Sequence, residues 1–235
     1  MNESIVSMLH TLREEAPLIH AITNPISITQ CANAVLALGA RPIMAEHPQE
    51  VEEITATAAA LLLNLGNITD VRMEAMLRSA KAARAAGVPV VLDAVGVACS
   101  RLRRDYARQL LSHFPPAVLK GNYAEINALY RPDYTASGVD GDSTLTSAAV
   151  AEAAAALALR HNCVVLASGK TDLVTDGKSV FAIGNGVPQL GQVTGTGCML
   201  GALCACFLAA APPLEGAKAA CVTLGVAGGL ASTPK

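Results

Sequence analysis

The chain alternates between helical segments and short apolar strands for most of its 235 residues. Three of the predicted strands, "LLLNLG", "VPVVLDAVG" and "CVVLASG", are rich in apolar residues, as is typical of parallel strands covered by helices on both faces. Strands that alternate with longer helical patterns indicate βαβ units. The sequence therefore predicts an α/β fold in a single domain spanning residues 1–235, with three α-β-α layers around a mostly parallel central sheet.

Two segments near the C-terminus refine this prediction. The segment "TDLVTDGKSVFAI" places Asp176 and Gly177 between alternating apolar residues, which predicts an antiparallel hairpin at one edge of the sheet. The apolar run from Met199 to Ala211 is too short to cross the ~30 Å hydrocarbon layer of a membrane. We therefore expect this run to form a buried core helix.

Composition excludes several classes of partner. The formal net charge is −2 and 15% of the residues are charged, so nothing favours binding to nucleic acid. The 7 cysteines are an odd number without a disulfide pattern, and the N-terminus lacks the basic and apolar regions of a secretory signal. We expect a cytoplasmic protein with reduced thiols, no membrane partner and no nucleic-acid partner.

Polar residues follow most of the predicted strands. In a parallel α/β sheet, ligands bind outside the carboxyl ends of the strands, so these residues are candidates for a common site. Taken singly, each also fits a turn or a helix cap. They are Asn24, Asn64, Asn67, Asp93, Lys120, Asn122, Glu125, Ser168 and the turn at 195–198.

The turn Gly195-Thr196-Gly197-Cys198 opens directly onto the predicted core helix. The first N–H groups of a helix lack partners, and glycines let a phosphate approach them, so the turn predicts an anion site. The alternative is a tight turn whose glycines serve close packing. A dinucleotide fingerprint is disfavoured because the turn lies near the end of the chain. The fragment "SGKT" is not a phosphate-binding P-loop, because Val164 stands where that motif needs glycine.

Five blocks in order resemble the hydroxyethylthiazole kinase family of the ribokinase-like fold. They are "HAITNPISITQCANAVLALGARPIMA", "LLLNLGNIT", "VVLDAVGV", "LKGNYAEI" and "VTGTGCMLGAL". The resemblance implies phosphoryl transfer from ATP to the primary alcohol of 4-methyl-5-(2-hydroxyethyl)thiazole, with Mg²⁺. It also implies a homotrimer with active sites at the subunit contacts.

The resemblance assigns roles to individual positions. Asn24, Met44 and Gly195 correspond to substrate-binding positions, and Lys120 and Ser168 to ATP-binding positions. Asp93 and Glu125 correspond to the acidic positions associated with the metal. Catalytic roles are implied for Gly195, Gly197 and Cys198, the last standing where most ribokinase-like enzymes have an aspartate base.

The chain departs from the family pattern at several positions. Lys120 stands where arginine is common, which keeps the charge but loses the bidentate fork. Ser168 replaces the usual threonine, Thr29 a common asparagine and Ala94 the usual proline. Members of the family generally continue through a further helix beyond the position of Lys235. These departures leave two alternatives open: a catalytically impaired protein that binds thiazole or nucleotide, and a kinase for a related small alcohol.

Overall fold

A computed structural model describes residues 2–134 and 145–232 of the chain. The strands are β1 (Leu18–Ile22), β2 (Arg41–Ile43), β3 (Ala60–Asn64), β4 (Val90–Asp93), β5 (Val118–Asn122), β6 (Val164–Ser168), β7 (Asp172–Thr175) and β8 (Val180–Ile183). The helices are α1 (Asn2–Glu15), α2 (Ile28–Ala37), α3 (Val51–Thr57), α4 (Asp70–Ala86), α5 (Arg101–His113), α6 (Tyr123–Tyr130), α7 (Ser147–His161), α8 (Thr196–Leu208) and α9 (Pro213–Ala231). A 3₁₀ helix spans Pro188–Gln192.

The eight strands form one sheet in the order β2-β1-β3-β4-β5-β6-β7-β8. All pairings from β2 to β6 are parallel, whereas β6 with β7 and β7 with β8 are antiparallel. The predicted parallel sheet with an antiparallel hairpin at one edge is confirmed. Since six strands share one direction, their carboxyl ends lie along the same edge.

Helices cover both faces of the sheet and create two separate cores. Along β3, Leu62 packs on one face with residues of α1, α2, α8 and α9, whereas Leu61 and Leu63 pack on the other with residues of α3 to α7. The three leucines are 0–1% exposed, and burying each contributes about 1.5–3 kcal/mol. The α-β-α layering predicted from the apolar strands is confirmed.

Local capping fixes where several helices begin. Thr69 lies at the N-cap of α4, where its hydroxyl accepts a hydrogen bond from the Arg72 amide at 3.3 Å. Asn122 and Glu125 form a reciprocal capping box at the start of α6. Serine is a favoured N-cap residue, which predicts Ser27 as the cap of α2; it holds that position, but its side chain makes no capping hydrogen bond.

The structure also differs from the sequence-based predictions. The segment "HPQEVEEITATAAA" predicts a helix with Pro48 near its first turn, but α3 begins at Val51, so Pro48 lies in the turn before it, and Ala60 starts β3. Helix α9 was not predicted. The polar segment Arg131–Thr144, with its Pro, Gly and Asp residues, predicts a surface loop, and its residues 135–144 lie outside the described residues.

Within the described part of the chain, α9 alone is long and apolar enough to cross a membrane by length and composition. This is weak evidence for a membrane span, because a helix of a protein core meets the same criteria. One third of its apolar window, 33%, is buried, and Ala217, Ala220 and Cys221 lie in the core beside α8.

Candidate functional site

A cavity of about 470 Å³ opens at the carboxyl edge of the parallel strands. Its walls come from the segments that follow β1, β3, β4, β5 and β6 and from the turn before α8. Of the nine residues to which the resemblance assigns a role, seven line it: Asn24, Lys120, Glu125, Ser168, Gly195, Gly197 and Cys198. Met44 and Asp93 are not among the lining residues.

A row of three polar side chains spans three neighbouring strands, and of these three only Lys120 lines the cavity. Asn64, Asp93 and Lys120 are register partners on neighbouring strands β3, β4 and β5, so their side chains emerge on the same face. Lys120 Nζ donates to Asp93 Oδ1 at 2.9 Å, and Asn64 Nδ2 donates to Asp93 Oδ2 at 2.8 Å. Both carboxylate oxygens of Asp93 are therefore engaged, and its side chain is 0% exposed.

The charges of this row depend on each other. Burial alone would lower the pKa of Lys120, but the carboxylates of Asp93 and Glu125 outweigh burial and raise that pKa. Burial raises the pKa of Asp93, an effect opposed by the ammonium group of Lys120 and the amide of Asn64. Lys120 consequently remains a cation at physiological pH.

Glu125 is placed by the capping box at the start of α6. Its Oε2 accepts a hydrogen bond from the Asn122 amide at 2.7 Å, and its Oε1 accepts one from the Gly96 amide at 2.7 Å. Burial raises the pKa of this carboxyl to about 7, although Lys120 and the two amides favour the charged form. Glu125 thus joins the loop after β4 to the loop after β5 and presents a carboxyl that titrates near neutral pH.

The N-terminus of α8 points into the cavity. Gly195, at the N-cap, has a φ of +92°, and a Cβ there would lie 2.8 Å from Cβ of Ser27. Glycine is therefore required for both backbone conformation and close approach to α2. Among the described residues, the amides of Gly197 and Cys198 have no hydrogen-bond acceptor, whereas the Thr196 amide before them bonds to Val193 O at 3.5 Å and the Met199 amide after them to Gly195 O at 2.8 Å.

Lys120 lies directly beside this helix start. A Cβ built on Gly197 would come within 3.6 Å of Lys120 Nζ, so the ammonium group and the free amides face the same space. Cys198 follows on the first turn of α8, where it lines the cavity and is 7% exposed. The predicted glycine turn therefore combines two kinds of donor suited to an anion.

Asn24 forms the opposite wall of the cavity. Its Oδ1 accepts hydrogen bonds from the Ile26 amide at 3.1 Å and from Asn67 Nδ2 at 3.2 Å. Ser168, at the end of β6, donates through Oγ to Gly121 O at 3.3 Å. Both residues thus lie where the sequence predicted them, at the edge of the sheet.

Met44 follows the edge strand β2 and packs, partly buried, against the core beneath α1, α2, α8 and α9. Ala45, the next residue, is anchored by its carbonyl, which lies 2.9 Å from Nε2 of the buried His20. Burial lowers the pKa of His20, so the imidazole is neutral and Nε2 donates this bond while Nδ1 accepts from Thr55. Within one chain, therefore, Met44 is not one of the residues that line the cavity.

Two arginines of the site were missed by the sequence analysis. Arg72 is 5% exposed in its side chain and connects three loops on the Asn24 side of the cavity. It donates to Thr23 O, to Asn67 O at 3.2 Å and to Glu46 Oε2 at 2.8 Å.

Arg103, in the first turn of α5, lines the cavity itself. Both arginines stand in charged helical sequence that also fits a solvated surface, so no pattern distinguished them.

The comparisons with known proteins agree with this architecture. A family model described as the hydroxyethylthiazole kinase family matches residues 9–235. "Hydroxyethylthiazole kinase 2" of Clostridium botulinum (strain 657) is 44% identical over 230 residues, which are 96% of this chain and 87% of the relative.

Solved structures extend the comparison to the fold. A structure of hydroxyethylthiazole kinase from Pyrococcus horikoshii has a TM-score of 0.87 and 36% identity, covering 97% of this chain and 84% of that one. A ribokinase-like superfamily protein from Enterococcus faecalis has a TM-score of 0.61 at 13% identity, covering 89% and 77% of the two chains, and supports the fold alone. The ribokinase-like fold predicted from the five sequence blocks is confirmed, and the chain belongs to the hydroxyethylthiazole kinase family.

Proposed function

We propose that this chain transfers the γ-phosphoryl group of ATP to the primary alcohol of 4-methyl-5-(2-hydroxyethyl)thiazole. Membership of the family supports this reaction. The observation that carries it is the convergence of the free Gly197 and Cys198 amides with Lys120 at one end of the cavity. A loose phosphoryl-transfer transition state needs positioning and charge stabilisation more than covalent chemistry, and this end of the cavity offers both.

The phosphate-binding side is built on α8 and β5. Amide donors at a helix N-terminus stabilise charge that develops on a transferring phosphoryl group, and Lys120 adds an ammonium group that is paired with Asp93. Because Lys120 is held by Asp93, its ammonium group is positioned before ATP binds. We propose that Ser168 contacts the nucleotide from the end of β6, where it lines the same cavity.

The carboxyls present suit a magnesium ion that is shared with ATP. Mg²⁺ takes most of its ligands from phosphates and water and few from protein, and the described residues contain no cluster of three or more metal-ligating side chains. Glu125 lines the cavity and each of its oxygens keeps a lone pair beyond its single amide bond, so it would hold the ion through its waters. The ion would neutralise phosphate charge when bound. Asp93 has no exposed atom, and we propose that it acts through its hold on Lys120.

Cys198 is the proposed acceptor for the alcohol proton. It lines the cavity one residue after Gly197, next to the amides that would face the transferring group. General-base assistance is typically worth about 10²–10⁴ in rate. Since a loose transition state requires little deprotonation before attack, the amides and Lys120 carry most of the proposed catalysis.

The thiazole side is proposed to lie near Asn24 and Gly195, and to be completed by a second copy of the chain. Ile26 and Val193 line the cavity yet are 59% and 58% exposed, a large apolar exposure for residues at a site. Met44 does not reach the cavity within one chain. A homotrimer in the cytoplasm with sites at the subunit contacts, as the family resemblance implies, would account for both features.

The test is ADP release by the purified protein with Mg²⁺-ATP, in the presence and absence of the thiazole alcohol, with a pyrimidine alcohol as the comparison. Thiazole-dependent ADP release with a phosphorylated thiazole product is expected. Equal turnover of the pyrimidine alcohol would contradict the substrate assignment. Thiazole binding without any ADP release would favour a protein that binds its ligand without catalysis.

A further inference from the structure

Three arginines in the first turn of α5, Arg101, Arg103 and Arg104, have very different surroundings. Arg101 is 95% exposed in its side chain and pairs with Asp105 at 3.5 Å. Arg104 is buried, and its guanidinium donates to the carbonyls of Val97 at 2.9 Å, Ala98 at 3.0 Å and Pro132 at 2.9 Å. Arg103 is half-buried and lines the cavity. Arg101 is therefore a surface residue, Arg104 is structural, and Arg103 faces the site.

The guanidinium of Arg103 has few partners of its own. Its Nη1 donates to Val95 O at 3.5 Å, the outer limit of a hydrogen bond, and among the described residues it forms no ion pair. Lys120, by contrast, is neutralised by Asp93. Arg103 therefore brings to the cavity a positive charge that no carboxylate of the described residues compensates.

Gly96 leaves the space that Arg103 fills. A Cβ on Gly96 would lie 2.2 Å from Arg103 Nη1, and the φ of +79° at this position also favours glycine. The amide of the same residue donates to Glu125 Oε1 at 2.7 Å. Gly96 thus separates the guanidinium of Arg103 from the carboxyl of Glu125, which is proposed to face Mg²⁺. The two charged groups therefore form no ion pair with each other.

We infer that Arg103 binds the phosphates of ATP through its guanidinium fork, an inference that rests on the nucleotide site of the proposed function. Lysine at position 120 supplies a point charge without a planar fork. Arginine forms two parallel, charge-assisted hydrogen bonds to one phosphate group, which adds geometric specificity to charge. Arg103 thereby supplies the bidentate recognition that Lys120 lacks.

The test compares Arg103→Met with the matched control Arg101→Met, which removes an exposed arginine two residues earlier on the same helix. We expect Arg103→Met to raise the Kd for ATP, measured by titration calorimetry, by about 10- to 100-fold through loss of charge-assisted hydrogen bonds. The affinity of Arg103→Met for inorganic triphosphate, measured in competition with ATP, should fall by a similar factor. Arg101→Met should leave both values unchanged, and Arg103→Lys should lie between the wild type and Arg103→Met.

Binding of the thiazole alcohol without nucleotide serves as the measure of an intact site, and we expect Arg103→Met to bind it like the wild type. An ATP Kd within twofold of the wild type would overturn the inference, as would an equal loss of thiazole and ATP binding, which indicates a structural role. Turnover by the wild type is measured separately. If the wild type binds ATP in an Arg103-dependent way but releases no ADP, the inference stands and the proposed function fails.

Discussion

Lys120 Nζ lies 2.9 Å from Asp93 Oδ1, and the two side chains are only 4% and 0% exposed. Asn64 occupies the other carboxylate oxygen, so the ion pair has its polar partners in place. Taking two charges out of water is costly, and good geometry with additional hydrogen bonds offsets that cost. The pair therefore sets the position of the ammonium group at the start of α8 rather than adding greatly to net stability.

Removing Asp93 should be strongly destabilising, because it leaves Lys120 buried without its counter-charge. We expect Asp93→Ala to lower the free energy of unfolding, measured with urea, by about 3–5 kcal/mol. The control is Glu74→Ala, which removes an exposed pair with Arg78 and should cost less than about 1 kcal/mol. Equal losses of unfolding free energy in the two variants would show that the buried ammonium group of Lys120 does not need Asp93 as its counter-charge.

Gly195 and Gly197 should respond oppositely to alanine. Gly195→Ala requires a positive φ and places Cβ 2.8 Å from Ser27, so we expect thermal unfolding at a lower temperature. A Cβ built on Gly197 would meet only Lys120 Nζ, at 3.6 Å, and alanine favours a helix over glycine by about 1 kcal/mol. Gly197→Ala should therefore keep or raise the melting temperature.

Activity should follow a different order from stability at these glycines. The methyl group of Gly197→Ala would occupy space between the free amides and Lys120, and loss of one such donor typically costs about 10²–10³ in kcat. We expect kcat to fall by that factor in a well-folded variant. Unchanged kcat would remove the α8 N-terminus from the proposed phosphate site.

The pH dependence of stability should report on Glu125. Its pKa in the folded protein is about 7, above the ordinary value of 4.5, so the folded state binds the proton more tightly than the unfolded state. The stability due to this protonation is complete below about pH 4.5 and is lost as the pH rises through 7. The loss amounts to at most about 3 kcal/mol.

Glu125→Gln removes this titration and so isolates it. The unfolding free energy of the wild type minus that of Glu125→Gln should fall between pH 5 and pH 8, on top of a pH-independent offset caused by the changed hydrogen bonds. Urea unfolding at several pH values measures this difference. A difference that stays constant across the range would mean that Glu125 is already ionised at low pH.

Much of the fold could be predicted because it depends on local pattern. The apolar runs of β3 and β6 indicated parallel strands, and Asp176-Gly177 indicated the hairpin of β7 and β8. Helix α9 was missed because it is rich in glycine, including Gly225 and Gly228, and it is stabilised by packing against α8 and the sheet instead of by its own propensity.

The site could be predicted only as a set of candidates. Position after a strand placed Lys120 and Glu125 at the correct edge, but the alignment of Asn64, Asp93 and Lys120 depends on strand register, which single strands do not reveal. Met44 was implied by resemblance and lies outside the cavity of one chain. Arg72 and Arg103 gain their significance from loops distant in sequence, so no local signal identified them.

Cys198→Ala should slow the reaction without abolishing it. If Cys198 accepts the alcohol proton, its loss should lower kcat by about 10²-fold or somewhat more while both KM values stay near those of the wild type. The matched control is Cys204→Ala on the same helix, a fully buried cysteine outside the cavity lining. Loss of all detectable turnover in folded Cys198→Ala would contradict the limited role assigned to the thiol.

Arg72 should affect the thiazole side of the site selectively. Its guanidinium joins the loops that contain Thr23, Glu46 and Asn67, next to Asn24, and makes no contact with Lys120 or Ser168. We therefore expect Arg72→Met to raise KM for the thiazole alcohol by about 10-fold through loosened loops, since small misplacements of binding groups are costly. The KM for ATP should change by less than about twofold, because the phosphate-binding groups lie on other strands.

Arg78→Met provides the comparison for Arg72→Met, because Arg78 lies on the same helix and its pairs with Glu52 and Glu74 are exposed. Both KM values of Arg78→Met should match those of the wild type, since exposed pairs contribute little. Steady-state kinetics with each substrate varied in turn measures the split. Parallel increases in both KM values for Arg72→Met would indicate that the arginine supports the whole edge of the sheet, and the selective link between these loops and the thiazole alcohol would then be wrong.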